Sequence, residues 1–275
     1  MTITRILRLA DGAALETDFG NGRPIPTVVT RRGEWTEFAA SPDVGAGVLP
    51  WDALLGNGRM RGMARLTIDR DRWRVRGELR SATAASIDQM RRSFREASHV
   101  LAGEPEKRKP ESAVDEATWD SWTTAIASAG WTVSARAAQR FVVDLDVRDG
   151  FWQATGEPRG RRPGLAVAIG KGEWTEPDCR LAVSRYLLAA TDAVRLVRAT
   201  HTAGRGLALE GTLPGGIGQA DLDGTLSALA LACQLVGREV NALNDARFAR
   251  RYLDSTLTKE RLCEWTTMAE FSCSK

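Results

Sequence analysis

Gly33-Glu34-Trp35-Thr36-Glu37 returns letter for letter as Gly172-Glu173-Trp174-Thr175-Glu176. A five-residue word built around tryptophan seldom recurs by chance, and a recurrence at long period marks a duplicated unit. The flanks extend the match. A β-prone run with a basic turn precedes each copy, over 26–32 and 165–171, and further upstream 5–12 parallels 140–150. Downstream, Arg74-Val75-Arg76-Gly77-Glu78-Leu79 is matched by Ala208-Leu209-Glu210-Gly211-Thr212-Leu213, and each half then enters a helical stretch, over 87–102 and 220–243.

The start of the second copy has no counterpart at the start of the first. Residues 115–129 read as a helix carrying Trp122-Thr123-Thr124-Ala125, whereas the first copy begins directly with a strand at Thr2. The missing helix is expected at the other end of the chain, where 258–271 carries Trp265-Thr266-Thr267-Met268. The C-terminal helix is therefore expected to fold back and complete the N-terminal half. The lobes become 1–103 with 246–275 packed back on it, and 112–245.

Within the first half, Asp11-Gly12 predicts a hairpin joining 2–9 to 13–19, with a third strand over 25–31. Gly45, Gly47 and Pro50 break the stretch that follows, leaving a short helix over 50–55. In the second half Thr175-Glu176-Pro177-Asp178 is a helix start, and Leu181, Val183, Tyr186, Leu187 and Ala190 predict an apolar face along 177–193. A second hairpin follows in each half, 62–69 with 72–80 and 195–202 with 206–213. Trp73, Val75 and Leu79 alternate with charges, the pattern of a sheet buried on one face. The only clear linker is 103–111, charged and holding two prolines. The fold class expected is α+β: two pseudo-symmetric lobes, each an antiparallel sheet with helices on one side.

Composition narrows the function. The 275 residues are 43% hydrophobic and 27% charged, with net charge +3, ordinary for a globular chain and too balanced for a phosphate-binding surface. No apolar run is long enough to span a bilayer and the N-terminus has no signal-peptide core, so a cytoplasmic location is expected. Cys179, Cys233, Cys263 and Cys273 lack paired spacing, so neither a zinc site nor a redox couple is signalled.

The candidates for chemistry are few. Gly215-Gly216-Ile217-Gly218 suggests a phosphate-cradling loop, but no Lys-Ser/Thr follows it, and the first half has Ser81-Ala82-Thr83 at the matching place. A small-molecule or nucleotide-binding enzyme using Gly215–Gly218 is the alternative function. His99 and His201 sit at non-equivalent positions and read as structural or surface residues. Asp144 and Asp146 alternate with apolar residues along a strand and face solvent, and the clusters Arg91-Arg92-x-x-Arg95 and Arg159-x-Arg161-Arg162 lack interleaved aromatics. Repeated tryptophans (Trp35 with Trp174, Trp122 with Trp265) read as core anchors. Trp73, Trp119 and Trp152, which lack a tryptophan partner in the other copy, are the candidates for a partner-binding surface.

The order helix, three strands, helix, two strands, helix in each half resembles the type III secretion chaperone-like fold shared by secretion chaperones and the YbjN family. The resemblance rests on element order across nearly the whole chain. It implies a noncatalytic chaperone or adaptor that needs no cofactor or metal and holds a segment of another protein. It also implies a monomeric pseudo-dimer, or a weak homo-oligomer, that binds neither nucleic acid nor membrane.

Overall fold

A computed structural model describes residues 13–18, 24–42, 48–70, 72–103, 116–137, 139–148, 150–159, 162–174, 176–202, 206–213 and 218–273. The strand expected over 2–9, the linker beyond 103, and 214–217 of the glycine loop lie outside these. The first half runs β1 (Ala13–Asp18), β2 (Pro24–Arg32), β3 (Trp35–Ala40), α1 (Pro50–Arg59), β4 (Arg65–Asp69), β5 (Arg72–Arg80) and α2 (Ala84–Leu101). The second runs α3 (Glu116–Ser128), β6 (Val133–Ala137), β7 (Arg140–Val147), β8 (Gly150–Arg159), β9 (Arg162–Gly170), α4 (Pro177–Ala193), β10 (Val197–Thr202), β11 (Gly206–Gly211) and α5 (Gln219–Ala242). Two helices close the chain, α6 (Ala246–Thr256) and α7 (Lys259–Cys273).

The chain is α+β with two wholly antiparallel sheets, ordered β1-β2-β3-β5-β4 and β10-β11-β9-β8-β7-β6. Read from the matching edge, and among the described residues, the second sheet repeats the first with β6 added outside; its half has four strands before the middle helix where three were expected. Local chemistry explains the boundaries. Thr83 Oγ1 accepts from the Ser86 amide to cap α2, Pro177 occupies the first turn of α4, and Asp245 accepts from the Arg247 and Phe248 amides to start α6.

The repeated pentapeptides are not equivalent in the fold. Gly33, at φ +63°, and Glu34 turn the β2–β3 hairpin, and Trp35 opens β3. Gly172-Glu173-Trp174 instead follows β9 and leads into α4. The topological partner of the first copy is the β8–β9 hairpin, so the expected assignment is displaced by one strand. Trp35–Ala40 is a strand because Thr36, Phe38 and Ala40 alternate inward. Helix α1, freed from that stretch, extends to Arg59.

One face of each sheet is closed by the last helix of its half. Phe38 meets Phe94 of α2 edge-on at 6.4 Å, and a Cβ at Gly77 would lie 2.4 Å from the Met90 sulfur. In the second half α5 contacts β7, β8, β9, β10 and β11. At the edges β4 and β10 the halves interlock. Helix α1 of the first half packs on β10 of the second, and α4 of the second packs on β4 of the first.

Buried polar groups fix this exchange. Arg65 and Glu78 form a fully buried pair at 2.5 and 2.7 Å, and Arg65 also donates to the main-chain oxygens of Thr191 and Val194 at the end of α4. Arg198 mirrors it: paired with Glu210 at 3.1 Å, it donates to the oxygens of Met60 and Gly62 just beyond α1. Burial pushes both carboxyls up, but the guanidiniums beside them prevail and hold Glu78 and Glu210 below the ordinary range. Asn57 of α1 bridges β4 and β10, exchanging hydrogen bonds with the Leu66 backbone and donating to the Ala199 oxygen. Arg76 and Thr67 close the rim on Asp192, and Arg195 pairs with Glu37.

The tail touches both halves. Helix α7 packs on α4, while Trp265, 2% exposed, brings its ring to 6.4 Å from that of Trp73 on β5.

Candidate functional site

Two features stand out. The first is an aromatic junction that opens into a cavity. Trp51 of α1 lies 4.3 Å from His201 of β10 and 5.3 Å from Trp174, with the Arg180 guanidinium 4.4 Å over it. Thus the second pentapeptide's tryptophan reaches across to the first half. The Trp174 indole N–H donates to Asn244 Oδ1 at 2.5 Å, which pins the ring to the end of α5.

Behind Trp174 lies a cavity of about 320 Å³ between the end of β9, the start of α4 and the end of α5. Lys171, Glu173, Glu176, Asn241 and Asn244 supply its polar groups, and Ile169, Leu207 and Val240 its apolar surface. Cys179 also lines it and donates to the Asn244 main-chain oxygen at 3.5 Å. Burial, and then the charges of Glu176, Asp178 and Asp245, push the Cys179 thiol up, which keeps it protonated and poorly nucleophilic. His201 Nδ1 is buried with no hydrogen-bond partner among the described residues. Burial first, and Arg180 second, hold the imidazole below its usual range, so it is neutral at pH 7. The Trp51 indole packs against it, and the neighbouring charge that acts on it is a guanidinium, not a carboxylate that could orient it as a general base.

The second feature is an exposed apolar line. Five large apolar side chains stand exposed among the described residues: Val28, Phe151, Leu231, Leu235 and Phe248. Three of them lie on α5 and α6. Leu231 and Leu235 are one turn apart, and the Leu235 oxygen accepts from the Tyr186 hydroxyl at 2.8 Å. The Tyr186 ring meets Tyr252 edge-on at 6.0 Å, and Tyr252 is one turn from Phe248. Burial, with Glu239 nearby, pushes the Tyr186 phenol up to about 12, so it remains a hydrogen-bond donor throughout the physiological range.

Of the tryptophans expected at a contact surface, two are core residues. Trp73, 6% exposed, packs on Trp265, and Trp119, 3% exposed, packs on Trp122 and Phe141. Their rings anchor the two one-off helices, α7 and α3, to the sheets, which an unrepeated tryptophan does as readily as it marks a surface. Trp152 is half-buried against α5, where a Cβ at Gly237 would lie 2.7 Å from its ring. Its neighbour Phe151 faces outward at 65% exposure.

His99 lies half-buried on α2, and Arg91, Arg92 and Arg95 are exposed on the same helix. Asp144 and Asp146 lie on the β7 face away from Phe141, Val143 and Leu145, with Asp144 accepting from Gln153. Among the described residues no group of three His, Cys, Asp or Glu could hold a metal ion, and no helix is long and apolar enough to cross a membrane. The Leu231–Phe248 line had a partial signal in sequence: Leu231 and Leu235 fall outside the stripe Leu222, Leu226, Leu229, Cys233, Val236. Comparison with known proteins finds no matching family model, no matching curated protein and no matching solved structure.

Proposed function

We propose that the protein is a noncatalytic chaperone or adaptor that holds an amphipathic segment of a partner protein against the Leu231, Leu235 and Phe248 line. The observation that carries this reading is that three of the five exposed large apolar side chains lie on two successive helices, both packed on α4, whose Tyr186 reaches the Leu235 oxygen on one and the Tyr252 ring on the other. Scattered single apolar residues need no explanation, whereas exposed apolar side chains gathered on neighbouring elements point to an interaction surface. Anchors one turn apart suit a helix laid in a groove, whose own apolar residues repeat at the same spacing. The seam supports the same reading. With β4 and β10 each covered by a helix of the other half, the two units form one scaffold, and α5 and α6 present Leu231, Leu235 and Phe248 at its surface.

The partner class, a segment of another protein, follows from the resemblance to secretion chaperones and YbjN proteins and belongs to this proposal. The test is recovery of a partner from the native host by a tagged full chain, compared with the Leu231→Glu/Phe248→Glu variant and with Phe151→Glu. The holder reading expects a specific protein lost with the first variant and kept with the second. Equal recovery by all three places the contact elsewhere.

A further inference from the structure

We propose that the cavity beside Trp174 is a binding site for an organic cation, a guanidinium or alkylammonium group. It stands independently of the holder reading. Its volume of about 320 Å³ is at the lower end of ligand sites, enough for one such group with a short alkyl stem. The indole of Trp174 forms one wall, and its N–H is already committed to Asn244, so the ring is held in place and cannot itself serve as a donor to a ligand.

A fixed indole beside carboxylates is the arrangement that attracts a guanidinium or ammonium, through the ring's negative face and charge-assisted hydrogen bonds. Glu173 and Glu176 provide the carboxylates, and Asn241 adds an amide. The apolar part of the lining, Ile169, Leu207 and Val240, suits the methylenes of the stem.

Two groups oppose a cation. Lys171 is the one ammonium among the described lining residues. The start of α4, from Glu176 to Cys179, lines the cavity, and a helix N-terminus favours anions. Glu176 and Asp178 already face that turn, and the carboxylates Glu176, Asp178 and Asp245 that raise the Cys179 thiol make the local field negative. The balance therefore favours positive charge.

The same chemistry has two sources, a free small molecule or the arginine or lysine side chain of a bound polypeptide. Calorimetric titration of the full chain with agmatine and with a capped Gly-Arg-Gly tripeptide separates them. Saturable binding of either probe is expected, weakened on the order of tenfold by Glu173→Gln/Glu176→Gln and by Trp174→Leu, and strengthened by Lys171→Ala. Tighter binding of agmatine identifies a free small molecule, and binding of the tripeptide at least as tight identifies a polypeptide side chain; both uphold the site. Glu173 and Glu176 are exposed, so the double variant should melt as the parent does. Absence of binding up to about 10 mM of either probe overturns the proposal. So does binding unaffected by the glutamate substitutions, or inorganic phosphate binding that Lys171→Ala removes.

Discussion

Arg65 donates to the main-chain oxygen of Val194, 129 residues away in sequence, at 3.2 Å inside the protein. Arg198 does the same to Met60, 138 residues away, at 2.7 Å. Met60 and Val194 are the C-cap residues of α1 and α4. Each half therefore satisfies the carbonyls that terminate the other half's middle helix, groups that no intrahelical donor reaches. A helix end buried this way has no water to fall back on, so the two halves depend on each other.

Removing one partner from such a pair strands a buried charge. Arg65→Met should destabilise the chain by about 3–5 kcal/mol, whereas Arg65→Met/Glu78→Leu should cost less because no charge is left unpaired. Urea unfolding of both variants beside the parent checks this; a double variant less stable than the single one contradicts it.

Gly58 lies where α1 crosses β10. A Cβ there would sit 2.6 Å from the His201 main-chain oxygen, which cannot rotate aside as a side-chain tip could. Gly58→Ala should destabilise by about 1–3 kcal/mol despite the better helix propensity of alanine. Thermal melts should show the loss, and a stabilised variant would mean that the helix does not approach the strand so closely.

His201 makes stability depend on pH. Its folded-state pKa is held below the ordinary 6.5, so the unfolded chain binds a proton more readily than the folded one. The stabilisation is fully present above about 6.5 and is lost as pH falls through the folded value. Parent minus His201→Phe unfolding free energy, measured in steps from pH 8 down to about pH 5, should fall with acidity below about 6.5. A difference that is flat across that window contradicts a neutral, enclosed imidazole.

Trp265 joins the tail to both halves, with its ring against Trp73 and its helix against α4. Trp265→Ala should cost about 3–5 kcal/mol, as expected for a buried tryptophan. A near-neutral effect in urea unfolding would show that α7 is dispensable.

The sequence foretold most elements because their signals are local. Pro177 and the 3.6-residue periodicity define α4, and the alternation of Trp73, Val75 and Leu79 with charges defines β5. It misled where a short identity was taken for equivalence. Gly33–Glu37 and Gly172–Glu176 share letters but not topology, since one turns a hairpin and the other leads into a helix. The better signal was quieter: Arg65-Leu66-Thr67 and Arg198-Ala199-Thr200 both open the first strand of a second hairpin, and both arginines reach across the seam. Nothing local in either triplet reveals a partner more than 100 residues away, because the carbonyls they satisfy are supplied only by the assembled pair. Likewise Trp73 and Trp119 could be read as surface residues only until α7 was seen to cover the first and Phe141 of β7 to meet the second.

The account rests on the two halves being one interlocked unit, and its most direct test is equilibrium unfolding of the full chain in urea. Helical circular dichroism should be followed together with amide exchange in α1, β4, α4 and β10. One coincident transition, shifted as a whole by Arg65→Met and equally by Arg198→Met, is the predicted result. Two separated transitions, with each substitution moving only its own half, would contradict it.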